Sequence, residues 1–330
     1  VQNLGVAIIG SGSALPTTTL DNQTLSEIVE TSDDWITTRT GITQRQLALP
    51  TDSLSGLAAI AGSQALAAAG IKASDLDLIL LATSTPDDLF GSACQVQAKL
   101  GATKAVAFDL TAACSGFLFG LVTAAQYIRT GVYQNVLLIG ADILSRWVDW
   151  QDRRTCVLFG DGAGAVVLQA NKSDRLLGFS LKSDGTQNHY LNLNYNASAQ
   201  ELIPGINVAK GTYQPITMNG KDVYRFAVQR VPEVIDKALF QANLSVDQID
   251  WLLLHQANQR ILNAVAQRLN IPDHKIISNV AYYGNTSAAS IPLALDEVVR
   301  QGKIKPNDII ATSGFGAGLS WGAAIFQWGR

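Results

Sequence analysis

Two stretches of this 330-residue chain, far apart in sequence, share one pattern. Residues 68–82, AAGIKASDLDLILLA, align without a gap on residues 241–255, QANLSVDQIDWLLLH, which sets Asp77 opposite Asp250. With small gaps the correspondence continues: Gln97-Ala-Lys-Leu-Gly pairs with Ala266-Gln-Arg-Leu-Asn, and residues 106–116 pair with residues 277–287. That third pairing sets Cys114 opposite Asn285. A fourth sets Gly160-Asp-Gly-Ala-Gly opposite Gly314-Phe-Gly-Ala-Gly. Four pairings in one order signal a duplicated unit, which restricts the fold to two copies of one topology. The units it defines are residues 1–175 and 176–330.

Within each unit short apolar runs alternate with longer small-residue helical patterns, the signature of an α/β protein. Strands are expected at Val6–Ile9, Leu78–Leu81, Ala105–Phe108, Val136–Ile139, Val157–Leu168, Trp251–Leu254, Ile309–Thr312 and Gly322–Phe326. Helices are expected at Leu54–Ala69, Ala93–Leu100, Gly116–Arg129, Asp222–Ala242, Ile261–Leu269 and Ser287–Arg300. The polar stretch Asn188–Gly211 reads as an irregular loop.

Apolar residues make up 47% of the chain and charged residues 15%, so much of it must be interior or interface, and a homo-oligomer is expected. A net charge of −3 argues against a nucleic-acid binder. Three cysteines, Cys94, Cys114 and Cys156, form neither a CxxC pair nor an even disulfide framework. With three histidines there is no cluster of metal-ligand spacing, so no metal and no cofactor are expected. The first ten residues lack a basic stretch followed by a long apolar one, so no signal peptide is expected. No apolar run is long enough to span a bilayer, and the expected location is the cytoplasm.

Cys114 lies in Ala112-Ala-Cys-Ser-Gly, between a predicted strand and a long, nearly all-apolar helix. A thiol at a helix N-terminus meets unpaired N–H groups and the positive end of the macrodipole, which favour the thiolate. On residue type alone it is equally a buried structural cysteine; its place at the carboxyl end of a strand is what favours a site. Cys94 and Cys156 fall inside a predicted helix and strand and read as packing residues. His255 ends the strand Trp251-Leu-Leu-Leu, where active sites of open α/β sheets collect. His189 and His274 lie in polar segments and read as surface residues. Asn285 taken alone reads as a turn or helix cap; the repeat is what links it to Cys114. Gly10-Ser-Gly-Ser lacks the third glycine of a dinucleotide loop, and Gly160-Asp-Gly-Ala-Gly lacks the Lys-Ser/Thr of a phosphate loop. The latter reads as a tight turn with close backbone approach.

Taken together, Glu30-Thr-Ser-Asp-Asp-Trp-Ile-Thr-Thr-Arg-Thr-Gly-Ile, Cys114 in its setting, Gly160-Asp-Gly-Ala-Gly-Ala, His255-Gln-Ala-Asn-Gln-Arg, Gly284-Asn-Thr-Ser-Ala and Gly314-Phe-Gly-Ala-Gly-Leu-Ser-Trp-Gly resemble the β-ketoacyl-acyl-carrier-protein synthase III family. The resemblance runs from about residue 4 to the end, with the motifs in that family's order. It implies a thiolase-like fold of two duplicated halves in α/β/α/β/α layers, and a homodimer. The implied substrates are an acyl-CoA primer such as acetyl-CoA and malonyl-acyl carrier protein. Cys114 is then the nucleophile, and His255 and Asn285 stabilise the enolate formed on decarboxylation. The backbone amides of Cys114 and Ala317 are implied to bind the oxyanion, and Trp35, Arg39 and Arg153 to bind CoA. The run Gln256, Ala257, Asn258, Gln259 and Arg260, with Arg225, is implied to dock the carrier. Leu89, or its neighbour Phe90, is implied to close the acyl pocket across the dimer.

Alternatives within the same fold are a synthase that joins two acyl-CoA molecules without a carrier, and an acyltransferase or hydrolase that forms no carbon–carbon bond. A non-catalytic binding subunit is disfavoured because cysteine, histidine and asparagine are all present. A thiolase is disfavoured because residues 311–330 hold no second cysteine.

Overall fold

The structure, a computed structural model, describes residues 4–329. Two five-stranded mixed sheets organise it. The first contains β1 (Gly5–Ala14), β2 (Leu78–Ala82), β3 (Val106–Leu110), β4 (Asn135–Ile143) and β5 (Asp161–Asn171), in the order β1-β5-β4-β2-β3. The second contains β6 (Leu176–Ser183), β7 (Trp251–Leu254), β8 (Ile276–Ile277), β9 (Ile309–Gly316) and β10 (Ser320–Gln327), in the order β6-β10-β9-β7-β8. Parallel and antiparallel pairings fall at the same places in both. One topology therefore occurs twice.

The repeated residues do the same physical work in each copy. Gly70 (φ 68°) and Asn243 (φ 54°) end the helices α1 (Leu54–Ala69) and α4 (Gly220–Ala242) in the left-handed region, which glycine and asparagine tolerate best. Asp77 then accepts from the Asn135 N–H at 2.9 Å and Asp250 from the Ile309 N–H at 2.8 Å, each carboxylate pinning the start of the neighbouring parallel strand.

The inner strands β2, β4, β7 and β9 are buried on both faces, which is why they read as continuous apolar runs. Leu78 and Leu80 point to a central layer while Ile79 and Leu81 point to an outer one. That central layer is made by α3 (Gly116–Arg129) and α6 (Ser290–Arg300), packed between the sheets through Leu118, Leu121, Ile291 and Leu295. Helices α1 and α2 (Ala93–Leu100) cover the first sheet, and α4 and α5 (Gln259–Arg268) cover the second. Five layers result, α/β/α/β/α. Each fully buried leucine contributes about 2 kcal/mol.

Two of the four repeat pairings are displaced. The 3₁₀ turns Ala113–Ser115 and Ser287–Ala289 each lead into a central helix, and each begins with a non-glycine residue at positive φ, Ala113 at 48° and Ser287 at 52°. The counterpart of Cys114 is therefore Ala288, not Asn285. The second copy carries an extra segment with the short helix Val280–Tyr283, and Asn285 lies at its exit. Likewise Gly140 faces Gly164 across β4–β5, as Gly314 faces Gly322 across β9–β10. Gly314 thus corresponds to Gly140, and the Gly160 run opens β5 rather than forming a turn. Its close approaches are real: a Cβ on Gly160 would lie 2.2 Å from the Tyr283 carbonyl oxygen, and one on Gly164 2.5 Å from the Leu293 nitrogen.

Other expectations also change. Residues 157–159 precede β5 instead of belonging to it, so Cys156 is buried in a turn, while Cys94 is exposed on α2. Much of the supposed loop is a two-stranded hairpin, Tyr195–Ile203 paired with Ile206–Tyr213. Nearly all its residues are exposed, so no apolar face marks it in sequence.

Candidate active site

Cys114 lies on the turn between β3 and α3, with 7% of its surface exposed. The Ser287 hydroxyl donates to its sulphur at 3.3 Å. Burial pushes the thiol up to about 12, against the pull of that hydrogen bond and with a further push from nearby Asp142. In the unliganded protein the group is a neutral thiol, not the thiolate expected from its place at a helix N-terminus, because desolvation of the anion outweighs the stabilising donors.

Asp142 ends β4 fully buried, and burial raises its pKa. It accepts from the Ser84 N–H at 2.8 Å, the Thr83 and Thr85 hydroxyls at 3.1 and 3.0 Å, and the Ala288 N–H at 3.2 Å. The duplicated frame makes Gly316 its counterpart, two residues beyond Gly314 as Asp142 is beyond Gly140. A Cβ on Gly316 would lie 2.7 Å from the Cys114 nitrogen. One copy therefore binds the amide of the turn with a carboxylate, and the other leaves the equivalent Cys114 amide clear. Among the described residues the Cys114 amide finds no acceptor but its own sulphur, and the Ala317 amide finds none. Alanine at position 317 keeps the amide.

His255 follows β7 and is 1% exposed. Its N–H donates to the Ser313 carbonyl at 2.8 Å, its ring meets Phe315 edge to face at 5.4 Å, and Nδ1 lies 2.6 Å from Ser290 Oγ. Burial drives its pKa down to about 3, so the imidazole is neutral. Asn285 is held by a bridge to Phe159, donating its N–H to Leu158 and accepting from the Gly160 N–H. Its Oδ1 accepts from the Ser287 N–H at 2.9 Å, and Ser287 reaches Cys114, so the thiol and the asparagine are joined through one residue. Among the described residues, Nε2 of His255 and Nδ2 of Asn285 have no protein partner. Two side-chain nitrogens are free of protein partners.

A cleft of about 810 Å³ opens on Cys114 and Ser287, while His255 and Asn285 are not among its lining residues. Leu89, Cys114, Phe159, Tyr213, Ser287 and Ala317 line it, and its walls are mostly apolar. Phe90 does not line it and is 98% exposed, whereas Leu89 lines it and is 79% exposed. Trp35, on the helix Asp33–Thr40, does not line the cleft, and Arg39 at 4.8 Å and Arg153 at 5.3 Å lie over its ring. Ser32 caps that helix by accepting from the Trp35 N–H, and Arg153 donates to the Glu30 carbonyl. The result is an indole flanked by two guanidinium groups, a surface suited to a planar, anionic ligand.

The run after His255 divides. Gln256 is 1% exposed, its amide nitrogen bonded to the Leu254 and Ile277 carbonyls and its oxygen to the Asn279 N–H. It braces the interior and cannot contact a carrier; a side chain adjoining a buried strand end is turned inward. Ala257 is half-buried, Asn258 caps α5 through the Arg260 N–H, and Gln259 bonds Asn263 and Ser278. Asn258 also donates to the Arg39 carbonyl, tying this run to the helix that bears Trp35. Arg260, over the Tyr224 ring at 5.6 Å, and Arg225, beside Asp222, are exposed cations.

Sequence reasoning missed Ser287, Ser290 and Asp142. A signal existed for the last: it is the sole charge in the apolar run Val136–Ile143. The small residues Thr286-Ser-Ala-Ala-Ser290 read as ordinary helix-start residues and carried no comparable mark.

The fold is that of the thiolase-like condensing enzymes, a class of acyltransferase. Residues 108–185 match the family 3-oxoacyl-[acyl-carrier-protein (ACP)] synthase III, and residues 239–328 match its C-terminal family. The proteins named β-ketoacyl-[acyl-carrier-protein] synthase III from Trichormus variabilis and from Nostoc sp. are each 81% identical over 330 residues, covering 100% of both chains. The crystal structure of 3-oxoacyl-[acyl-carrier-protein] synthase III from Aquifex aeolicus is similar at a TM-score of 0.90 and 42% identity, covering 98% of this chain and 100% of that one. The chain belongs to the β-ketoacyl-acyl-carrier-protein synthase III family.

Proposed function

We propose that this protein carries out decarboxylative condensation of acetyl-CoA, or a short acyl-CoA, with malonyl-acyl carrier protein, giving the acetoacetyl carrier that initiates fatty acid biosynthesis. The carrying observation is the Cys114 thiol at the cleft, joined through Ser287 to Asn285 and accompanied by two side-chain nitrogens, His255 Nε2 and Asn285 Nδ2, without protein partners.

In the first half-reaction the Cys114 sulphur attacks the thioester carbonyl and gives up its proton as the bond forms. CoA leaves as its thiol, and an acyl-enzyme remains. Negative charge on the tetrahedral oxygen is held by the amides of Cys114 and Ala317, to which no other described residue supplies an acceptor. In the second, the malonyl thioester loses CO₂ and its oxygen becomes negative. His255 Nε2 and Asn285 Nδ2 donate to that oxygen, each worth about 3 kcal/mol of barrier. The enolate carbon then attacks the acyl group and expels the Cys114 sulphur, which recovers a proton.

Trp35, Arg39 and Arg153 hold the CoA nucleotide by stacking and charge. Arg260 and Arg225 dock the carrier, with Asn258 and Gln259 fixing the loop between them and the CoA site. Two copies of the chain assemble along β3, an open sheet edge on which Val106 and Phe108 are 49% and 36% exposed. Leu89 bounds the acyl pocket. The units 1–175 and 176–330 supply the nucleophile and the donors respectively. Among the described residues no helix is long and apolar enough to cross a membrane, in keeping with a cytoplasmic reaction on diffusible substrates.

The half-reactions separate experimentally. Incubation with acetyl-CoA should add one acetyl group, mapped by peptide mass spectrometry to Cys114. His255→Ala and Asn285→Ala should still acquire it but release CO₂ from malonyl carrier at least about 100-fold more slowly. Acetyl on Cys94 or Cys156, or wild-type CO₂ release by both variants, overturns the assignment.

A further inference from the structure

We infer that Ser290 is a positioning residue that fixes His255 in the tautomer bearing its proton on Nε2, so that a neutral imidazole presents a donor to the cleft. The inference rests on the proposed role of His255 and extends it to a residue outside the Cys-His-Asn set.

Ser290 Oγ has two polar neighbours among the described residues, His255 Nδ1 at 2.6 Å and the Gln256 N–H at 3.3 Å. The amide can only donate, so the hydroxyl oxygen accepts from it. The hydroxyl's own hydrogen then has one acceptor available, and that is Nδ1. If Nδ1 instead carried the proton, the hydroxyl hydrogen would be left with no partner where both side chains are 1% exposed. Full satisfaction therefore places the ring proton on Nε2. The neutrality required for this choice follows from burial, which holds the imidazole far below its usual pKa.

The duplicated frame shows that the pair is an addition to the fold. His255 stands opposite Ala82 in the aligned stretches, and Ser290 opens α6 as Gly116 opens α3. In the first copy those counterparts also meet: a Cβ on Gly116 would lie 3.2 Å from the Ala82 Cβ. One juxtaposition is small and apolar in the first copy and an imidazole–hydroxyl pair in the second. The fold alone does not need the hydrogen bond there.

The chain has three histidines, so ¹⁵N-histidine labelling gives a resolvable spectrum. In the wild-type protein at neutral pH, His255 should show a protonated Nε2 and a hydrogen-bonded, unprotonated Nδ1. A protonated Nδ1 overturns the inference without any variant being made. Ser290→Ala should shift the Nδ1 resonance and slow decarboxylation of malonyl carrier at least tenfold in kcat, with KM and acetyl transfer to Cys114 little changed. Ser290→Thr, which keeps a hydroxyl, should restore both readouts. An Ala variant with unchanged His255 resonances and unchanged kcat also overturns it. If His255→Ala decarboxylates normally while the wild-type tautomer is as stated, the role of His255 fails and the hydrogen-bond assignment stands.

Discussion

At neutral pH Cys114 keeps its proton, and this sets how the free protein responds to pH. Removing the anion from water costs more than Ser287 and the adjacent amide return, so the thiol is pushed up to about 12. Below that value the thiolate fraction rises tenfold with each pH unit. Alkylation of Cys114 by iodoacetamide, followed by peptide mapping to separate it from exposed Cys94, should accelerate about tenfold per unit between about pH 7 and pH 10. A plateau below about pH 9 would mean that the helix N-terminus stabilises the thiolate after all, as the sequence alone suggested. What the sequence conveyed at this scale was the location of Cys114 and His255, each at a strand's carboxyl end. It could not convey protonation states, because these depend on burial by residues distant in sequence, such as Ser287 beside Cys114 and Phe315 beside His255.

The two copies share strands, helices and their connections, and differ where the chemistry lies. Asp142 binds the Ala288 amide in one copy, and its counterpart Gly316 leaves the Cys114 amide open in the other. A side chain at position 316 has nowhere to go, since the obstructing atom is backbone. Gly316→Ala should therefore cost about 1–3 kcal/mol of stability and slow acetyl transfer to Cys114. Gly185→Ala, where a Cβ meets nothing within 4 Å, serves as the control. Thermal unfolding and acetylation rates check this; a Gly316→Ala protein that matches wild type in both would remove the amide from the account. The repeat was legible where caps and strand-pinning aspartates enforce identity, at Gly70/Asn243 and Asp77/Asp250. It slipped at Asn285 because the inserted segment around Val280–Tyr283 shifts the frame, and no gap in so weak an alignment can be placed without the strands. The hairpin at 195–213 was missed for another reason: exposed on both faces, it carries no alternation.

At the scale of the whole molecule, the cleft is lined by Leu89, which with Phe90 forms an exposed apolar pair on an otherwise polar loop of the single chain. In the proposed dimer, burial of Leu89 would make it a limit on primer length. Leu89→Ala should raise use of butyryl- and hexanoyl-CoA relative to acetyl-CoA, each added methylene gaining about 0.8 kcal/mol when buried. Competition across acyl-CoA lengths checks it, and an unchanged ratio removes Leu89 from the pocket. Low charge, abundant apolar residues and alternating elements were enough to indicate an α/β chain with a large interior, while its layered arrangement came from the family resemblance. Which outward residues face a carrier was not legible. Gln256 and Arg260 are four positions apart in one motif, yet one is interior and the other exposed.

The central claim is that the chain joins a Cys114-bound acyl group to a malonyl unit presented on a carrier protein. Purified protein given acetyl-CoA with either malonyl-acyl carrier protein or malonyl-CoA, and analysed by product mass spectrometry, tests it most directly. The predicted result is CO₂ release with acetoacetyl carrier as the main product, little condensation with malonyl-CoA, and neither product from Cys114→Ser. Efficient condensation of acetyl-CoA with malonyl-CoA and none with the carrier would contradict the account, as would acyl hydrolysis without carbon–carbon bond formation.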